Sequence, residues 1–328
     1  MQQIEIGKNE AGQRLDKFLH KFMPKAPSSF FYKMLRKKNI TLNGKKAEGN
    51  EKLLQGDKLS FYLADETIAG FQDDFENSET TAEYKAAYKK LNGIIVPYED
   101  EHVIIMDKPV GILSQKAESK DLSLNEWMIG YLLSKGSLQE NQLSTFKPSV
   151  CNRLDRNTSG LVIGAKSLQG SQKMNELIRS RSVRKFYRML VKGRVDQEET
   201  LEGYLIKDQK NNKVHLVKER TDQGEYIKTR YYPIREFSDR TLVEAELITG
   251  KPHQIRIHMA STGHPLLGDY KYGDRSFNDI YKQRFSINSQ LLHAYRLEFP
   301  KLDPPFLQLS ERVVEAPIPK EFQLLTEG

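Results

Sequence analysis

Apolar residues first fall at helical intervals at Leu15, Phe18, Leu19 and Phe22, which predicts a short amphipathic helix. Pro24 and Pro27 mark a break. Ser28 and Ser29 are placed to cap a second helix through Phe31, Met34 and Leu35, and that helix carries Lys33, Arg36, Lys37 and Lys38. Ile40-Thr41-Leu42 followed by Asn43-Gly44 predicts a strand and a hairpin turn, and Gly56-Asp57 precedes a strand over 58–62. Residues 11–63 thus predict a small α/β unit with basic residues crowded on one helix.

From residue 91 the pattern changes. Strands are predicted over 103–106, 160–165, 185–191, 202–206, 213–217, 226–235, 242–247 and 291–299. Helices are predicted over 122–133, capped near Asp121 or Ser123, over 168–178, and from Pro252 to about Thr262. Strands with interspersed helices and no strict βαβ alternation predict an α+β domain around a mixed, mostly antiparallel sheet. The Pro-rich tail after Pro300 is expected to wrap the surface.

Charge sharpens the division. Residues 1–63 hold 13 Lys and Arg against 6 Asp and Glu, whereas 64–84 hold seven acids (Asp65, Glu66, Asp73, Asp74, Glu76, Glu79 and Glu83) and no base. The expected organisation is a basic unit at 1–63, an acidic linker at 64–90 and a large domain at 91–328. The chain's formal net charge of +7 favours a polyanionic partner. No apolar run approaches a membrane span, and the N-terminus lacks the basic-then-apolar order of a signal peptide, so no membrane association is expected. The lone Cys151 excludes an intrachain disulfide and a cysteine-clustered zinc site, and the cytoplasm is the expected location.

The densest chemical cluster is Arg153-Leu154-Asp155-Arg156-Asn157-Thr158-Ser159-Gly160, just before an apolar strand. Positive neighbours keep a carboxylate ionised, and an ionised carboxylate in an enclosed site serves as nucleophile or general base. On the residues alone, a loop salt bridge with an Asx turn is the favoured reading of Asp155. Arg256, one turn into the helix from Pro252, has the geometry to clamp a carboxylate, or lies on a solvated face. Lys185, Tyr187 and Met189 share one face of a strand, with Phe186 on the other, so Tyr187 faces a site or a core. His253 and His258 are badly spaced for zinc, and no phosphate loop or nucleophile elbow is present, so no metal is expected.

Together these residues resemble the bacterial ribosomal large-subunit pseudouridine synthases of the Rlu type, preceded by an S4-like RNA-binding domain. The family's HRLDxxTSG motif is matched by residues 152–160, DKPxG by 107–111, KxYxxLVxG by 185–193, TGRxHQIRxH by 249–258 and GxPxxGDxxYG by 263–273. The resemblance implies conversion of specific uridines to pseudouridine in RNA, with 23S ribosomal RNA or a large-subunit precursor as the expected substrate, by a monomer that needs no cofactor. It implies Asp155 as the catalytic aspartate, Tyr187 as the residue that packs on the target base and helps proton transfer, and Arg256 as the partner of the aspartate. Asn152 stands where the family has His, and Lys251 where it has Arg. These two, with Arg153, His253 and the helix cations Lys33, Arg36, Lys37 and Lys38, are the expected RNA contacts. A transfer-RNA substrate, or a non-catalytic RNA-binding or ribosome-assembly factor, are the competing readings.

Overall fold

The computed structural model describes residues 1–7, 9–72, 78–208, 213–217, 219–221 and 224–326. The N-terminal part contains β1 (Gln2–Glu5), α1 (Leu15–Phe22), α2 (Ser28–Arg36), β2 (Ile40–Leu42), β3 (Lys45–Lys46) and β4 (Lys58–Phe61). Its strands form an antiparallel sheet in the order β1-β4-β2-β3. The predicted apolar stripes close the core: Leu15, Phe18, Leu19, Phe31 and Leu35 are buried over Ile40, Leu59 and Phe61. Burying such a side chain contributes about 1.5–3 kcal/mol. The predicted serine cap is not formed. Pro27 occupies that position, and the Ser28 hydroxyl lies 3.1 Å from Nε2 of His20 on α1, tying the two helices together.

The span read as an acidic linker is largely helical. α3 (Asp65–Phe71) buries Ile68 in the N-terminal core and sets Phe71 against Phe30. α4 (Ser78–Lys90) instead packs on α5 (Leu124–Ser134) and buries Tyr84 there. The contact requires Gly130, because a Cβ at that position would lie 2.1 Å from the Tyr84 carbonyl oxygen. Asp73, Asp74 and Glu76 of that span lie outside the described residues.

The larger part is built on one sheet. Its strands are β5 (Ile95–Glu99), β6 (Val103–Lys108), β7 (Ser149–Val150), β8 (Ser159–Ala165), β9 (Arg184–Lys192), β10 (Glu199–Asp208), β11 (Lys213–Val217), β12 (Glu225–Glu236), β13 (Arg240–Leu247), β14 (Leu292–Glu298) and β15 (Val313–Glu315). The order is β11-β10-β12-β13-β9-β14-β8-β6-β5, with β7 beside β8 and β15 beside β14. Among the described strands β14 and β8 pair in parallel, and the other pairs are antiparallel. Alternation sorts the core: Ile104 and Met106 of β6 face α5, while Val103 and Ile105 face Met174 and Leu177 of α6 (Leu168–Arg179). Cover on both faces explains why β6 and β8 read as continuous apolar runs.

Two parts of the pattern were not anticipated. The helix α7 (Gln254–Ser261) is followed by α8 (Arg275–Phe285), capped by Asp274. The C-terminal tail does more than wrap the surface: β15 extends the pairing of β14, and α9 (Lys320–Thr326) buries Phe322 and Leu325 beside Leu190, Phe277 and Tyr281. Among the described residues no helix is long and apolar enough to cross a membrane.

Candidate active site

A cleft of about 880 Å³ opens between the loop that leads into β8, the turn from α6 to β9, and residues 247–256. Asp155 sits on the first of these. Backbone and buried side chains fix the loop around it. Ser114 Oγ accepts from Leu154 N at 2.9 Å and donates to Leu154 O at 3.0 Å, and Gly111 N donates to Arg156 O at 2.9 Å. The Asn152 Oδ1 accepts from Ile163 N at 2.7 Å, so this predicted RNA contact uses its carbonyl to hold the loop on β8. After the loop, Gly160 crosses the parallel register of β8 and β14 with φ +114°, where a Cβ would lie 2.2 Å from Ala294 O. That position admits only glycine.

Lys108, quoted above only as part of a motif, holds the same loop from beneath. It is fully buried, and its Nζ donates to the carbonyls of Pro109, Ile112 and Arg156 at 3.1, 2.9 and 3.1 Å. Burial pulls the ammonium down to about 7, against the opposing pull of Asp155 and Asp107. A cation that close to titration beneath a carboxylate loop is a tertiary feature that no sequence spacing reveals.

Arg256 lies on α7, which begins two residues later than predicted because His253 takes a left-handed conformation at φ 58°. The helix is buried along most of its length, so the solvated-face reading of Arg256 does not hold: the residue is 8% exposed. Its Nη1 donates to Asp155 Oδ2 at 3.2 Å. The bidentate clamp predicted for it is made to a different carboxylate, Asp269, with Nε to Oδ2 at 2.7 Å and Nη2 to Oδ1 at 2.8 Å. Burial alone would raise the Asp269 carboxyl. The Arg256 bonds and charge, with the backbone N–H groups of Tyr272 and Lys271, outweigh it and hold Asp269 below the usual carboxylate range. Asp269, which clamps Arg256, is a residue of the site that sequence reasoning missed, although its motif was in view. The Tyr272 ring lies 5.1 Å from the guanidinium carbon and completes the enclosure.

His253, predicted as an RNA contact, lines the cleft beside the aspartate. Its Nε2 is 3.8 Å from Asp155 Oδ2, and its Nδ1 is 2.8 Å from the Tyr272 hydroxyl. Desolvation outweighs the pull of Asp155 and holds the imidazole below its ordinary pKa. Tyr187 extends from β9 into the cleft wall, 6% exposed, in a cluster with Leu154, Ile255 and Leu292. Burial, then the Asp155 charge, push its phenol far above the usual range. Phe186 points away, under the guanidinium groups of Arg296 and Arg184.

The remaining predicted contacts are spread out. Arg153 is exposed on the cleft rim, and Lys251, also on the rim, is ion-paired with Glu225. Lys33, Arg36, Lys37 and Lys38 are exposed at the end of α2 and line no part of the cleft. Among the described residues lining the cleft, Asp155 is the one acid among eight Lys and Arg side chains. The result is a carboxylate oriented by a buried arginine beside an aromatic wall, within a cationic cleft.

The model of the RNA pseudouridylate synthase family matches residues 102–261, a span that contains Lys108, Asp155, Tyr187 and Arg256. The chain is 28% identical over 330 residues to ribosomal large subunit pseudouridine synthase C of Vibrio vulnificus, covering 96% of each. It is 30% identical over 305 residues to the protein of the same name in Vibrio cholerae, covering 91% of this chain and 89% of that one. A solved structure, human RNA pseudouridylate synthase domain containing 4, superposes with a TM-score of 0.56 at 21% identity, over 74% of this chain and 94% of the other, and so supports the fold. The chain belongs to the RNA pseudouridine synthase family.

Proposed function

We propose that this protein isomerises specific uridines of 23S ribosomal RNA to pseudouridine, with Asp155 as the catalytic carboxylate. The observation that carries the reading is the Asp269–Arg256–Asp155 chain within a cleft that is otherwise cationic. The bond between N1 of the base and C1′ breaks, the base turns, and C5 bonds to C1′; the proton leaving C5 passes to water and N1 takes one up, so the product is an isomer of the substrate. The rearrangement is intramolecular and consumes no co-reactant. Asp155 supplies the carboxylate that acts on the target nucleotide, and the hydrogen bond from Arg256 aims it.

The uridine must leave its stack to reach Asp155, at a cost of roughly a few kcal/mol. Stacking on Tyr187 returns about 1–3 kcal/mol of this. Because its phenol is held far above the usual range, Tyr187 stays protonated at neutral pH. Its part is therefore to stack and to donate a hydrogen bond, and it is a poor base for the C5 proton.

The basic N-terminal unit serves as an S4-like anchor on RNA, in the cytoplasm, as part of a monomer. Phosphate contacts from Lys33, Arg36, Lys37 and Lys38 position the enzyme without choosing the uridine. With α3 in its core, this unit extends to about residue 72, and α4 belongs with the catalytic part. The names of the curated relatives support a large-subunit RNA substrate. The test is a pseudouridine map of total RNA from cells with and without the gene. Loss of one or more sites in 23S RNA is expected; loss confined to transfer RNA, or no loss, overturns the assignment.

A further inference from the structure

Strand β9 sends Arg184 and Lys185 to opposite faces, and their surroundings differ. Arg184 is exposed and donates to two carboxylates, Glu246 and Glu298, at 2.8 Å each. Lys185 shares the cleft face with Tyr187 and is only partly exposed. Among the described residues no carboxylate pairs with its ammonium. Its Nζ stands 3.9 Å from where a Cβ on Gly250 would be, so it faces the opposite wall of the cleft. Burial, then the neighbouring charge of Arg181, push it below the usual lysine range.

Arg181 lies at the end of α6, exposed on the same wall, with its backbone in the left-handed region at φ 62°. Asp155, the one acid of the described lining, is already bonded to Arg256. Two cations on one wall of a half-enclosed cleft are less favourable in the free protein than once an anion binds there. An ammonium is a compact point charge suited to a phosphate oxygen, and an adjacent guanidinium suits the same group.

We propose that Lys185 and Arg181 form an anion subsite that takes a backbone phosphate flanking the target nucleotide. The inference rests on reading the cleft as the RNA site. The subsite lies two residues along β9 from Tyr187, beside the base that ring would stack on.

The test uses the full chain and a synthetic RNA oligonucleotide carrying the mapped uridine, with single neutral methylphosphonate linkages placed in turn on either side of it. Wild-type protein must convert the unmodified oligonucleotide; if it does not, the reading of the cleft has failed rather than the subsite. One flanking methylphosphonate is expected to weaken wild-type binding roughly tenfold, about the factor of one charge-assisted hydrogen bond. Lys185→Met is expected to weaken binding similarly, to make that linkage silent, and to lower the slope of log affinity against log salt by about 0.7–0.9. Lys185→Arg is expected to restore the salt slope, which shows that charge and not packing is read. Independent effects of Lys185→Met and every methylphosphonate, or an unchanged salt slope in a folded Lys185→Met protein, overturn the proposal.

Discussion

Arg256 gives Asp269 two hydrogen bonds, at 2.7 and 2.8 Å, and reaches Asp155 with its remaining nitrogen at 3.2 Å. The order of strength matters. The Asp269 side chain is 2% exposed and that of Asp155 is 29% exposed, so the buried carboxylate fixes the guanidinium and the accessible one is left to work. On the proposed function, Asp269 is a positioning residue, acting on Asp155 through Arg256.

Asp269→Asn keeps the shape but replaces one acceptor oxygen with a donor and removes the charge. Breaking one side of a buried ion pair costs about 3–5 kcal/mol. The unfolding free energy in urea is expected to fall by about that amount. The turnover number is expected to drop at least about tenfold, because Nη1 loses its aim, with KM little changed. A folded Asp269→Asn protein with wild-type turnover would show that Asp269 does not position Arg256.

Lys108 predicts a pH dependence. Its folded-state value is about 7 against an ordinary 10.5. A group depressed in the folded state contributes stability that is fully present above the unfolded value and is lost as pH falls to the folded one. Between pH 7 and 9 the unfolded chain binds more protons at this residue, so stability rises with pH by about 2 kcal/mol more in wild type than in Lys108→Met. Urea unfolding of the two proteins across that range checks it, and parallel curves would contradict it. Lys108→Met also removes three bonds to the loop carbonyls and is expected to slow conversion.

Much of this architecture is legible in the sequence because single elements carry strong periodic signals. Lys185–Val191 reads as a strand and is observed as Arg184–Lys192, since its alternation matches the two faces of the sheet. α8 was not read because its buried residues, Phe277, Asn278 and Tyr281, are sparse among charged ones. β15 was not read because three residues between prolines give no periodicity, and its backbone pairing with β14 is what defines it. At the site, the sequence names Asp155, Tyr187 and Arg256, with Arg256 as the partner of Asp155, but not the residues that hold Arg256 and the loop in place. Asp269 and Lys108 act through burial and long-range hydrogen bonds, which motif spacing does not encode. The closeness of His253 to Asp155, 3.8 Å from Nε2 to Oδ2, follows from its left-handed backbone, which motif spacing does not encode either.

The basic end of α2 predicts a salt signature. Reversing Lys33 and Lys37 together (Lys33→Glu with Lys37→Glu) is expected to weaken binding to a long 23S transcript and to lower its log–log salt slope by about 1.4–1.8. Conversion of a short oligonucleotide is expected to persist, because these residues line no part of the cleft. Equal loss on both substrates, in filter-binding and conversion assays, would contradict this division of labour.

The central claim is that the Asp155 carboxylate carries the chemistry, and Asp155→Asn tests it most directly. Asparagine preserves the volume and an acceptor for Arg256 but removes the charge. Purified Asp155→Asn protein, incubated with 23S transcript and assayed for pseudouridine at the mapped site, is expected to bind RNA and form none. Pseudouridine formed at the wild-type rate would contradict the account.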